Sequence, residues 1–339
     1  MRSAGVEERF ITGDASDREK FQKWAESVGL AIGNPLYHWS HLELRNYFGY
    51  DGVLNGDTAE EVWRLCNEKL RSMSARQLIV DSNVRALCTT DDPADTLEWH
   101  HKLREEGFSV GVYPTFRPDN AMNPEKEDYP SYLEKLAAAA GEPIVSFQDL
   151  ERVLYARIEL FANHGCRVAD HGVAAVVCEP ACAEEADAIF RKRLAGEMLS
   201  PMELRKFKTA LHLALGREYA RRGWAMQLHF GVIRDNSRRV ANALGPDAGV
   251  DSIGSQVPMD ELAAFLNALD ETGELPKTIL YSLNPNDNTP IETIMGGFQT
   301  SEARSKLQHG SAWWFNDHKQ GMIDQMTSLA NEGMLALKV

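Results

Sequence analysis

The chain of 339 residues has no apolar run near the ~20 residues that a transmembrane helix needs. Its first ten residues, MRSAGVEERF, lack the apolar core of a signal peptide. Cysteines are few, five in all, odd in number and scattered, which fits reduced thiols in a cytoplasm and excludes a disulfide framework. No pair has CxxC spacing, and Cys178 and Cys182 stand four apart with no second pair to complete a zinc knuckle. Basic residues are in deficit: the net charge of −14 argues against a nucleic-acid or anionic-membrane partner, although one local arginine suffices for a small anion. GxGxxG, GxxxxGK[ST] and GxSxG are all missing, so dinucleotide, P-loop and α/β-hydrolase readings lose their main supports. There is no internal repeat.

What is present is the composition of a globular protein, 43% hydrophobic and 25% charged. Residues 1–82 read as helical. Phe21 and Trp24 lie on one side of a charged helix, and Thr58 with Glu61 has the spacing of a capping box. His38 and His41 could share a helical face, but a packed aromatic helix explains them without a metal. From residue 83 the texture changes to short β-rich runs alternating with helix-length segments, the signature of βαβ units. Six strands are expected, over 84–90, 110–116, 166–171, 225–229, 278–283 and 311–315. The pair His100 and His101 reads as helix surface.

The ends of these strands carry the chemistry. The stretch WAMQLHFGVIRDN runs from a buried strand into His229, then into Arg234, Asp235 and Asn236. The other runs end in Thr89–Asp92, in Arg117 and Asp119, in Asp170-His171, in Asn284–Asn288 and in Asn316-Asp317. Polar groups at the C-terminal end of every strand describe one functional face, as in a parallel α/β barrel. An open doubly wound sheet would gather them mainly at a switch point.

Together GNPLYHWSHLELRNYFG, CTTDDPADTLEWH, PTFRPD, DHG, WAMQLHFGVIRDN, YSLNPNDN and GSAWWFNDHKQGM resemble the uronate (glucuronate) isomerase family of the amidohydrolase superfamily. The resemblance runs from Ala4 to about Gly333. It implies an α/β fold, a (β/α)8 TIM barrel of the metal-dependent hydrolase type, with a helical insertion near the N-terminus. It implies an intramolecular oxidoreductase that converts D-glucuronate to D-fructuronate and D-galacturonate to D-tagaturonate in the cytoplasm, with a divalent metal, Zn2+ first. Family members carry an earlier strand with His-x-His and a later one with Thr-Asp-Ser-Arg. Neither motif occurs here, so residues 83–339 are expected to form an incomplete barrel of strands two to seven, lacking strands one and eight. Such a chain is expected to have little or no isomerase activity alone, and to associate with copies of itself through two long apolar sheet edges.

The resemblance assigns roles residue by residue. Arg117 would bind the uronate carboxylate, for which the guanidinium fork suits better than an ammonium. His229 falls at a metal-ligand position. His171, Arg234, Trp313 and Asp317 are expected to contact substrate, with one Trp ring as a sugar platform. The main catalytic groups of the family are expected to lie outside this chain, so no catalytic residue is assigned. Two other readings fit the same residues: a metal-dependent hydrolase of the same superfamily, and a non-catalytic protein that binds sugar acids.

Overall fold

In a computed structural model that describes residues 1–339, the chain forms two units. The first comprises Met1–Arg85 with Arg238–Ala248, and the second Ala86–Ser237 with Gly249–Val339.

The first unit is helical: α1 (Asp17–Val28), α2 (Pro35–Phe48), α3 (Ala59–Leu70), α4 (Ala75–Asp81) and, from the later segment, α10 (Arg238–Leu244). Helix α1 starts where Ser16 and Glu19 cap each other's backbone N–H groups reciprocally. Helix α2 starts at Asn34, whose side chain accepts from Leu36 N–H, and Pro35 occupies its first turn. A small core of Ala25, Val28, Leu44, Leu54, Ala59 and Val62 holds these helices. His41 donates Nδ1–H to Tyr37 O at 2.7 Å and accepts Leu54 N–H on Nε2 at 3.0 Å, so both nitrogens serve the fold. The expected capping box at Thr58 does not form. Its hydroxyl donates to Val53 O at 2.8 Å, and Asn55 Oδ1 takes the N–H groups of Asp57 and Thr58.

The second unit is built on a six-stranded, wholly parallel sheet. Its strands are β1 (Ala86–Asp91), β2 (Gly111–Phe116), β3 (Val168–Gly172), β4 (Ala225–Phe230), β7 (Lys277–Ser282) and β8 (Leu307–His309), neighbours in that order. A two-stranded hairpin, β5 (Val232–Ile233) and β6 (Ser252–Ile253), leaves the end of β4. The crossovers carry α5 (Glu98–Glu105), α6 (Tyr129–Ala140), α7 (Phe147–Asn163), α8 (Ala183–Leu194), α9 (Pro201–Arg221), α11 (Met259–Asp270) and α12 (Asn288–Gly297), and α13 (Lys319–Asn331) follows β8. The parallel order demands such crossovers. One apolar core runs between strands and helices, centred on Phe116, Phe161, Phe207, Tyr219, Trp224, Met226, Leu228 and Phe265, all fully or almost fully buried.

The sixth strand differs from its sequence reading. Pairing with β7 uses Leu307–His309, and Ser311–Phe315 is not a strand. Trp314 has φ 53°, a left-handed conformation that breaks an extended run, and Trp314–Asn316 is a 3-10 turn. Strand β8 is consequently a short edge with Leu307 and His309 fully buried, not a long exposed apolar one. Behind it Glu292 and Gln325 bracket the His309 ring, at 3.1 Å from Nδ1 and 2.9 Å from Nε2. His100 is buried rather than at the surface, with Nε2 2.7 Å from Thr89 Oγ1, while His101 is exposed. No helix is long and apolar enough to cross a membrane.

Candidate functional site

Strand alternation decides which groups reach the C-terminal face. In β4, Met226, Leu228 and Phe230 are buried against the helices, so Gln227 and His229 point the other way. The register pairs Asp170 with Gln227 and His229 with Tyr281, which sets these four side chains in two adjacent layers. With Thr89 and Thr90 from β1, Thr115 from β2, Arg117 just after it, Arg234 just after β5 and Trp313 beyond β8, they line a cavity of about 410 Å³. All of it belongs to the second unit.

Arg117, His229, Arg234 and Trp313 therefore share one cavity. His171 does not. It is fully buried on the opposite side of β3, its ring 4.6 Å from that of His212 and 5.6 Å from that of Tyr219, with neither nitrogen hydrogen-bonded. Burial holds both histidines far down the pKa scale, His212 at about 3, so these imidazoles are neutral packing groups. Its neighbour Asp170 faces the cavity instead. Asp317 follows the 3-10 turn and is not on the cavity wall. Gln227 and Tyr281, joined by a 2.9 Å hydrogen bond from Tyr281 Oη, were not singled out from sequence. Counting back two residues from His229 would have found the first.

The polar centre is a chain of charges. Arg117 Nε donates to Asp119 Oδ2 at 2.8 Å, and Nη1 lies 3.6 Å from Asp170 Oδ2. The other side of Asp170 Oδ2 meets His229 Nε2 at 3.2 Å. Burial opposes the Arg117 charge, but the charges of Asp119 and Asp170 and the Asp119 hydrogen bond outweigh it and hold its pKa above the ordinary value. Burial pushes the Asp119 carboxyl up, against the pull of Arg117 and the Gly172 N–H. Arg234 donates to Asp251 at 2.8 Å and lies 5.1 Å over the Trp314 ring. The Trp313 ring stands 5.1 Å from that of His229.

Gly172 leaves the room in which these groups meet. A Cβ there would come within 2.7 Å of Arg117 Nη2, 2.7 Å of His229 Cε1 and 3.0 Å of Asp119 Oδ2. A side chain there would have to displace the arginine or the histidine that meet beside Asp170.

The metal implied by the resemblance can be tested against these donors. His229 Nε2 and Asp170 Oδ2 are 3.2 Å apart. That is close to the edge, about 3.3 Å, of a tetrahedron with bonds of about 2.0 Å. A catalytic zinc takes three protein ligands, and no group of three His, Cys, Asp or Glu side chains in residues 1–339 is arranged to hold one. These residues do not make a complete metal centre.

Relatives share this sequence and this fold. The profile of the family described as glucuronate isomerase matches residues 1–339. The uronate isomerases of Lachnospira eligens and Lachnoclostridium phytofermentans are each 57% identical over 99% of this chain, which spans 72% and 73% of their lengths. Among solved structures, uronate isomerase from Thermotoga maritima superposes with a TM-score of 0.93 at 35% identity, over 98% of this chain and 72% of its own. Glucuronate isomerase from Caulobacter crescentus has the same fold, with a TM-score of 0.92 at 23% identity over 100% of this chain and 71% of its own. With the profile matched from end to end and relatives this similar, the chain belongs to the glucuronate isomerase family.

Proposed function

We propose that this protein interconverts hexuronates and their keto forms, D-glucuronate with D-fructuronate and D-galacturonate with D-tagaturonate, as a cytoplasmic enzyme. The observation that carries the reading is the convergence of Arg117, Asp170 and His229 in one cavity at the strand ends of a family member. The five unpaired thiols favour a reducing compartment. A (β/α)8 barrel is the reading favoured by the neighbour order of the six parallel strands and by the Thermotoga likeness.

The reaction moves one hydrogen from C2 to C1 and one from O2 to O1. Arg117 takes the substrate carboxylate on its free guanidinium edge, and Arg234 adds a second cation at the rim. Asp170, held between Arg117 and the His229 N–H, is the group placed to take the C2 proton and return it to C1. As the C2 proton leaves, the hydrogen on O2 passes to O1 within the enediolate, while His229 holds Asp170 in place through Nε2 at 3.2 Å. Thr90, Gln227 and Tyr281 present hydroxyl and amide groups for the sugar hydroxyls, and the Trp313 ring offers an apolar face for the carbon chain. A divalent cation on His229 and Asp170 would require further donors, and no step is assigned to it.

The test is incubation of the purified chain with D-glucuronate in D2O, followed by proton NMR. In place of the inactive chain expected from sequence, the reading expects growth of ketose signals and deuterium appearing at C1 or C2, both abolished in Asp170→Asn. Binding without exchange or ketose formation would reduce the protein to a sugar-acid binder and overturn the reading.

A further inference from the structure

We infer that Asp119 is a positioning residue: it fixes the direction in which Arg117 presents its guanidinium, and so governs uronate binding without touching the sugar. The inference rests on the reading of Arg117 as the carboxylate-binding cation.

Asp119 is not on the wall of the substrate cavity. It lines a second cavity of about 320 Å³ on the far side, next to α9. From there it reaches Arg117 by one oxygen, Oδ2, which accepts Nε–H at 2.8 Å. The same carboxylate accepts the Gly172 N–H on both oxygens, at 3.2 and 3.3 Å. Arg117 follows β2 and Gly172 ends β3, so Asp119 ties the guanidinium of one strand to the backbone of the next. Two partners on one carboxylate leave it a single orientation.

The consequence follows from guanidinium geometry. A fork offers two bidentate edges, Nε with one Nη or the two Nη groups. With Nε engaged, the Nη1–Nη2 edge is what remains for a substrate carboxylate. Nη1 is 3.6 Å from Asp170, longer than a hydrogen bond. Released from Asp119, a flexible arginine would close that gap and pair with Asp170, which would spend the cation and the proposed base on each other. Asp119 therefore keeps them apart. A carboxylate beside the anion-binding arginine weakens its field, so charge attraction alone would disfavour an aspartate here.

The experiment is calorimetric titration of D-glucuronate into the wild type, Asp119→Ala, Asp119→Asn, Arg117→Ala and the Arg117→Ala/Asp119→Ala pair, with melting curves to verify that each is folded. Loss of a charge-assisted hydrogen bond predicts about tenfold or greater weakening in Asp119→Ala. Asp119→Asn keeps an oxygen for Nε–H and is expected to recover most of the affinity. On the Arg117→Ala background the second substitution should change nothing, because there is no guanidinium left to orient. A merely structural aspartate would weaken binding on both backgrounds, which would overturn the inference, as would an Asp119→Ala affinity within twofold of wild type. If Arg117→Ala itself binds like the wild type, the carboxylate role of Arg117 fails and this inference falls with it.

Discussion

Replacing Gly172 by alanine tests the geometry of the site with a single methyl group. Gly172 does not occupy the left-handed region, so the substitution adds no backbone strain and its effect comes from contact alone. The new Cβ would sit 2.7 Å from Arg117 Nη2 and 2.7 Å from His229 Cε1. Comfortable contacts begin near 3.5 Å, so each group must retreat by roughly 0.8 Å. Overpacking of this size costs about 1–3 kcal/mol. The functional cost is the larger one, because a displacement of about 1 Å at a reacting group lowers turnover by about a hundredfold. The assay pairs urea unfolding with uronate turnover and binding. The expected result is a folded protein, destabilised by no more than about 3 kcal/mol, with activity down by about two orders of magnitude. Gly297→Ala, where a Cβ meets nothing within 4 Å, is the control and should leave both unchanged. Turnover within twofold of wild type in Gly172→Ala would refute the account of why a glycine stands there.

Three further outcomes are expected. Arg117→Lys keeps a charge but loses the planar fork, so uronate affinity measured by calorimetry should fall about tenfold or more, and unchanged affinity would count against bidentate recognition. Glu292→Ala removes the acceptor of Ser328 Oγ at 2.5 Å and the partner of His309 Nδ1 in a fully buried setting, so urea unfolding should show a loss of about 2–4 kcal/mol. Folding lowers the pKa of His171 and His212, the latter to about 3 from the usual 6.5. The unfolded chain thus binds protons that the folded one refuses, and stability is lost as pH falls from about 6.5 towards 3. Each group contributes up to about 1.4 kcal/mol per pH unit, so urea midpoints at pH 7, 6 and 5 should decline, less steeply in His212→Phe.

The βαβ alternation was legible because its two periods differ, and five of the six strand segments coincide closely with β1, β2, β3, β4 and β7. The sixth was misplaced because Ala312, Trp313 and Phe315 have strand composition, whereas the left-handed Trp314 is a local geometry that composition does not encode. His171 was misread for a sharper reason. In a period of two, an error of one residue exchanges the cavity for the core, and a polar pair such as Asp170-His171 does not reveal which member faces which way. Only the packing of His212 and Tyr219 against the ring decides it. Gln227 and Tyr281 were missed because neither is chemically unusual alone, and their importance comes from register with Asp170 and His229. Arg117 and His229 were found because a charge at a strand end stands out even without a partner.

The helical unit is not continuous in the chain. Its first part ends at Arg85, and Arg238–Ala248 returns to it, where Arg2 hydrogen-bonds the Ala248 carbonyl. During vectorial synthesis residues 1–85 emerge long before that segment. Their core, Ala25, Val28, Leu44, Leu54, Ala59 and Val62, lies wholly within them, and α10 adds no buried residue. The order of assembly is therefore nested: the helical core closes first, β1 to β4 follow and the return segment docks afterwards, so a ribosome-stalled chain ending before residue 238 should already show protection of α1 to α3 in hydrogen exchange.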